Sequence, residues 1–399
     1  MGGQYRSFFK SKKMRRSVLI FSVLLIITSI TLKTDAQTIT LGTVVAAQGD
    51  NVLVPVDFYD LDNVGAITLF VAFDTTVLTY TGYTNLSPEG AGTISYYDPE
   101  NSRVGFSWVA GMSGVDFPDG KYLDLQFIFH GGYSDLIFPA DCEIATFSGV
   151  VINVNYVNGS VSAPQVTFNL KVFLEGPYIQ GSGGIMHTNL QDAGSIPGSQ
   201  PFAPQLPYFG NDNPAWYYPG TENVTTLPPG TVDWVLVELR DAASAVEATG
   251  ATTVYRKPCF LLNDGNIVDE YGDIPVFYAS FSYGAFVVVW HRNHLGIMSS
   301  QPAQGLGNSY AYDFSTSASK VAGGTTGYTE IENGIWGMSA GDINADKVID
   351  IQDKTVGWET EAGKGGYYGA DTNLDTQVDN PDKNDLLIKN DGKFSGVPD

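Results

Sequence analysis

Basic residues are scarce in this chain. Across 399 residues, 21 Lys and Arg face 43 Asp and Glu, for a formal net charge of −22. Such a chain repels phosphate and lacks the basic patches of a nucleic-acid binder, so nucleic acid is excluded as a partner. Signatures of catalysis are missing too. There is no G-x-S-x-G elbow, P-loop, H-E-x-x-H helix or Cys/His nucleophile arrangement. A carboxylate pair for glycoside hydrolysis depends on which acids meet in space, which sequence does not show. The richest acid cluster has another use, described below, and the expectation is that the chain is not an enzyme. Cysteine occurs twice, at Cys142 and Cys259. Export would permit a disulfide between them, and two separate buried thiols fit the sequence equally well.

What is present suits β-rich globular modules: 43% hydrophobic residues, 13% aromatic, 45 Gly and 20 Pro, over a length that holds two or three domains. Lys12, Lys13, Arg15 and Arg16 precede an apolar run from Val18 to Leu32, and small residues around Ala36 follow. This reads as a signal peptide over residues 1–36, cleaved before Gln37, which places the protein outside the cell or on its surface. The alternative, an uncleaved anchor, has a run shorter than the ~20 residues a spanning helix needs. No second apolar stretch is long enough to span a membrane.

Near the end of the chain one spacing occurs twice. Asp342, Asn344, Asp346, Asp350 and Asp353 stand at positions 1, 3, 5, 9 and 12 of one loop. Asp371, Asn373, Asp375, Asp379 and Asp382 repeat that pattern. Calcium takes six to eight oxygen ligands, and a twelve-residue loop supplies them from these positions plus the position-7 carbonyl. Those carbonyls belong to Val348 and Gln377. Two ions are expected. Ile349 and Val378, at position 8, are expected to pair the loops back to back. Position 6, usually Gly, is Lys347 in one loop and Thr376 in the other, and position 12 is Asp rather than Glu. Thirteen acidic residues against six lysines between Trp336 and Asp399 concentrate negative charge there.

These paired loops closing an exported chain resemble a type I dockerin, over residues 339–390. The resemblance implies a small α-helical, calcium-dependent docking module of cellulosome-like assemblies. It also implies that the residues after position 9, Ile351-Gln352 and Asn380-Pro381, help to select the partner.

Residues 38–162 read as all-β. Val52–Phe58 and Tyr122–Phe129 alternate, and the nearly continuous apolar run Ala66–Phe73 belongs to a central strand. Gly49–Val56, Val64–Ile67, Phe73-Asp74 with Leu78, and Phe106-Ser-Trp108 resemble a cohesin domain, the receptor of dockerins. That implies a jelly-roll β-sandwich, which carbohydrate-binding modules share. Tyr96, Tyr97 and Trp108 are read as core or edge packing rather than a sugar-stacking strip.

Residues 165–335 read as a second β-sandwich-type domain of unassigned activity. Strands are expected at Val166–Leu174, Trp234–Leu239, Val254–Leu262, Val276–Ser280 and Ala285–Trp290. A Gly/Pro/Asn-rich insertion, 176–230, is expected to pack back on the domain. On a strand His291 and His294 face opposite ways, so a structural role is expected, with Arg292 capping a loop or pairing an acid.

The fold class is therefore mainly β with a small helical module. The function read from it is a secreted, non-catalytic adaptor that assembles by calcium-dependent cohesin–dockerin pairing in extracellular polysaccharide degradation. Cohesin- or dockerin-bearing proteins are the expected partners. The alternatives are carbohydrate binding at the cell surface and head-to-tail self-assembly into filaments. Mass spectrometry of the exported protein should find Gln37 at its N-terminus; an intact Val18–Leu32 segment in a membrane fraction would establish the anchor instead.

Overall fold

Val52, Val54, Val56 and Phe58 leave their strand on one side, and all four are buried. That period of two is what a half-buried sheet needs. A computed structural model describes residues 36–399. All of the expected signal peptide, residues 1–36, except Ala36 lies outside them. Among the described residues no helix is long and apolar enough to cross a membrane.

Nine strands build the first sandwich. They are β1 (Thr38–Leu41), β2 (Asn51–Tyr59), β3 (Val64–Ala72), β4 (Leu78–Thr84) and β5 (Ile94–Asp98), followed by β6 (Arg103–Val109), β7 (Gly120–Phe129), β8 (Glu143–Thr146) and β9 (Asn155–Val157). One sheet runs β9–β1–β2–β7–β4 and the other β8–β3–β6–β5. Only β1 and β9 pair in parallel within them. Strand β3, the nearly continuous apolar run, lies between β8 and β6 as a central strand should. Leu125, Phe127 and Phe129 of β7 meet Ile67, Leu69 and Val71 of β3 in a single core. Trp108 joins that core, whereas Tyr96 and Tyr97 are half-exposed.

The second region is built around Thr231–Asp241, flanked by Thr253–Leu262 and Ala285–Trp290 in a five-stranded sheet. All but the last residue of the Thr231–Asp241 strand are buried, which fits a strand covered on both faces. A four-stranded sheet contains Gln165–Lys171 and Ser309–Asp313. The first of these strands was expected to run to Leu174. It ends at Lys171, because Leu174 leaves the ladder to bridge Met338. The insertion packs back as expected: Tyr178, Met186, Leu190, Phe202 and Trp216 all enter the core.

That core does not stop where the sequence suggested a boundary. Ala345, Leu374 and Val397, from the loop pair and the chain beyond it, belong to the same apolar cluster as Phe168 and Val235. The cysteines are both free. Cys142 packs against the first core and Cys259 is buried in the second. The disulfide alternative is therefore excluded, and burial pushes both thiols up, Cys142 to about 11 and Cys259 to about 12.

Candidate metal centre

The two acidic loops fold alike. In each, positions 4 and 6 take the left-handed conformation: Ala345 and Lys347 at φ 59° and 76°, Leu374 and Thr376 at 60° and 83°. Non-glycine residues adopt it at a cost, so the turn expected of glycine is kept without glycine. The Asn344 amide donates to Asp346 at 2.9 Å, and Asn373 donates to Asp375 at the same distance. At position 12, Asp353 accepts the N–H groups of Ile343, Asn344 and Asp350. Asp382 accepts those of Thr372, Asn373 and Asp379. Short aspartates thus close each loop by gathering its amides.

The donor set left over suits a hard cation. Lys347, Ile349, Thr376 and Val378 all use their carbonyls to accept backbone N–H groups. The position-7 carbonyls of Val348 and Gln377, between them, accept none among the described residues. Asp342 Oδ1 is buried with no donor. Burial, with Asp353 and Asp346 beside it, raises the Asp342 carboxyl well above the usual carboxylate range. Burial likewise raises Asp353 and Asp371 to about 7, and lifts Asp379 and Asp382. No three His, Cys, Asp or Glu side chains among the described residues converge into a metal-sized cluster. A cation in either loop would instead need Asn oxygens, main-chain carbonyls and carboxylates that already accept N–H groups. A carboxylate has about four lone-pair sites, so accepting an N–H does not exhaust it. At position 9, Asp379 is exposed and Asp350 is half-buried.

The loops are not paired back to back through position 8. Ile349 exchanges backbone hydrogen bonds with Gly392 and Lys393, and Val378 with Gly363 and Lys364. Each loop finds a strand-like partner in the chain that leaves or enters it. Their side chains still share a small core with Ile343, Ala370 and Leu387, and Leu295 of the second region enters that core. The flanking helical segments are wide-turned, Asp353–Trp358 and Asp382–Leu387, rather than regular α-helices. Ile351, Gln352, Asn380 and Pro381 are all exposed beside them.

Buried polar bonds fasten this module to the second region. Arg292 donates to Asp233 at 2.8 Å, the acid pairing expected of it, and to the Tyr368 carbonyl. Asn293 donates to the carbonyls of Gly369 and Asp371 at 2.9 and 2.7 Å. Tyr367 donates its hydroxyl to Asp233 at 2.7 Å. Burial works against the Asp233 anion, yet Arg292, His291 and Tyr367 hold its carboxyl down at about 2. Glu175 bonds Lys389, Asn390 and the Ala340 amide. His291 and His294 do not face opposite ways, because the strand ends at Trp290 and their Nδ1 atoms lie 3.0 Å apart. Burial lowers the pKa of both histidines, and their hydrogen bonds give them a structural role at this junction. Sequence reasoning gave Asp233, Tyr367 and Glu175 no role, since only the fold brings them to this junction.

A second surface lies on the first sandwich. The outer face of β8–β3–β6–β5 shows Ile94 at 67% and Val109 at 72% exposure. Tyr96 lies across Gly105, where any Cβ would meet its ring, and stands edge-on to Phe70 at 6.0 Å. Arg103 stacks on Phe70 at 4.1 Å and pairs with Asp98 and Asp141. The result is an open apolar sheet face with a charged edge.

Residues 37–128 match the family model of the cohesin domain. The first sandwich is accordingly a cohesin-type domain, and the rest of the chain lies outside the match. Among solved structures, a non-cellulosomal cohesin from Archaeoglobus fulgidus is 23% identical, the match covering 32% of this chain and 91% of that one with a TM-score of 0.28. A type I cohesin–dockerin complex from Clostridium thermocellum matches at 14% identity, over 33% of this chain and 100% of that one, with a TM-score of 0.30. The sixth cohesin of scaffoldin B from Acetivibrio cellulolyticus, in complex with a Cel5 dockerin, matches at 16%, over 32% and 99%, with a TM-score of 0.30. No curated protein matches the chain.

Removing one partner of a buried ion pair leaves the other uncompensated. Asp233→Ala should therefore destabilise the second region by about 3–5 kcal/mol in urea unfolding. An unchanged midpoint would mean that Arg292 is satisfied without it.

Proposed function

We propose that this chain is an exported, non-catalytic adaptor that assembles with other proteins through its cohesin-type domain. The observation that carries the reading is the open apolar face around Ile94, Val109 and Tyr96 on a domain matched to cohesins. Exposed apolar patches of this kind, rimmed by charge, mark protein-binding surfaces. Matched cohesins are described in complex with dockerins. A dockerin-bearing protein is therefore the partner class assigned to this face. The C-terminal face with Ile351, Val356 and Ile388 exposed is the docking surface assigned to a cohesin-bearing partner, another copy of this chain included. A head-to-tail contact of this kind that does not close on itself would build filaments.

For the loop pair we propose two calcium ions, one held by Asp342, Asn344, Asp346, Val348, Asp350 and Asp353, the other by Asp371, Asn373, Asp375, Gln377, Asp379 and Asp382. Bound calcium supplies positive charge to acids that otherwise repel one another, so binding contributes folding free energy. The orphaned Asp342 Oδ1 and the two idle position-7 carbonyls support this reading. Polysaccharide binding by the sandwich is the second reading, on the strength of half-exposed Tyr96 and Tyr97. Service in extracellular polysaccharide degradation is common to both.

Calorimetry of the chain from Gln37 should show two equivalents of calcium bound. Asp342→Ala together with Asp371→Ala should abolish both, and retained stoichiometry would overturn the ligand assignment. In a calcium-dependent pull-down from the source secretome, Ile94→Asp with Val109→Asp should weaken capture of dockerin-bearing proteins by about a hundredfold or more. Undiminished capture would move the docking face elsewhere, and retention on insoluble polysaccharide in calcium-free buffer would favour the second reading.

A further inference from the structure

Between the insertion, Arg292 and the loop pair lies a cleft of about 220 Å³. Tyr208 and Phe209 come from the insertion and Tyr367 and Tyr368 from the segment before the second loop, while Arg292 and Glu361 supply its charged groups. We infer that this cleft is a binding site for one neutral, hydroxyl-rich ring, a single hexose-sized sugar unit. The inference is independent of cohesin-type docking, and it gives the carbohydrate reading a place outside the sandwich.

Size sets the first limit. Drug-sized ligands occupy pockets of roughly 300–1,000 Å³, and this one is smaller, so it takes a single ring. The walls set the second. Tyr208 and Phe209 stand edge-to-face, 4.6 Å between centroids, and line the cleft with aromatic carbon that suits the C–H groups of a ring. Hydrogen bonding decides the class of ligand. Arg292 is 3% exposed, and its Nη2 is buried with no acceptor, although its other nitrogens hold Asp233 and the Tyr368 carbonyl. A buried donor left unpaired is costly, and a hydroxyl oxygen would satisfy it. Glu361 accepts the Ala370 N–H through Oε2 at 2.9 Å, which leaves Oε1 as an acceptor for a second hydroxyl. One donor and one acceptor between aromatic walls match neighbouring hydroxyls on a sugar ring.

Charge argues against an anion. The Arg292 charge is already matched by Asp233 at 2.8 Å, Asp371 lies within its field, and Glu361 adds another carboxylate. A cation would meet the Arg292 guanidinium itself. A neutral polyol meets neither penalty.

The test uses the chain from Gln37 in saturating calcium, with D-glucose, D-galactose, D-mannose and D-xylose as probes and D-glucuronate as the anionic comparison. Saturation-transfer NMR should show contact with the ring protons of at least one neutral sugar, with dissociation constants in the millimolar range. Phe209→Ala and Glu361→Gln should each weaken that binding about tenfold or more. Glu361→Gln keeps an oxygen for the Ala370 amide, so it decides the matter if Phe209→Ala fails to fold. Three results would overturn the proposal: no transfer to any neutral sugar at about 50 mM, tighter binding of glucuronate than of glucose, or undiminished binding in the folded variants. Calcium stoichiometry and dockerin capture are read separately, so a failure here leaves those proposals standing.

Discussion

Arg292 is held between two parts of the chain that are far apart in sequence. One side of its guanidinium meets Asp233, at the start of the central strand of the second region, and another nitrogen meets the Tyr368 carbonyl just before the second acidic loop. Asn293, the next residue, bonds the main chain at Gly369 and Asp371. Leu295 then enters the small core beneath the loops. Arg292, Asn293 and Leu295 thus join the β-region to the loop pair by an ion pair, main-chain bonds and apolar contact. A buried guanidinium costs several kcal/mol to desolvate, and only a geometry that satisfies most of its donors offsets this. That constraint fixes where the loops sit.

The loop pair is therefore part of the second region's packing rather than an appendage. Gly176 shows how tight the fit is, since a Cβ there would lie 1.9 Å from the Thr372 carbonyl. A calcium-set fold in this position would act on the whole second region. The sandwich keeps its own core, against which Tyr278 of the second region packs.

Most of the β-architecture was legible in the sequence because alternation reports burial directly. Val52 to Phe58, Leu123 to Phe129 and the strand around Val235 lie where their patterns put them, since side-chain period and sheet face are the same fact. The acidic loops were legible as loops because ligand spacing is local. Long-range pairings were not. Nothing near His291 and Arg292 announces Asp233, 58 residues away from the histidine, and nothing near Ile349 announces Lys393 as its partner. The histidine pair departs from strand alternation because the strand ends at Trp290, one residue before His291. The insertion gave no sign that Tyr208 and Phe209 would meet Arg292 and Tyr368.

The two acidic loops share a ligand pattern but are held by different neighbours. The second is gripped through its own first residue, by Asn293 on the Asp371 carbonyl. The first is held from the insertion, where Asn211 donates to the Asn344 carbonyl and Ala215 to that of Ala345, both at 2.9 Å. Lys347, in its sixth position, reaches forward to Val397 and Asp399. Sequence symmetry between the loops is consequently broken by scaffold asymmetry. A pair of sites with equal donors and unequal supports has unequal rigidity, and rigidity tunes affinity. Under the calcium occupancy proposed above, the two loops are therefore expected to differ in affinity.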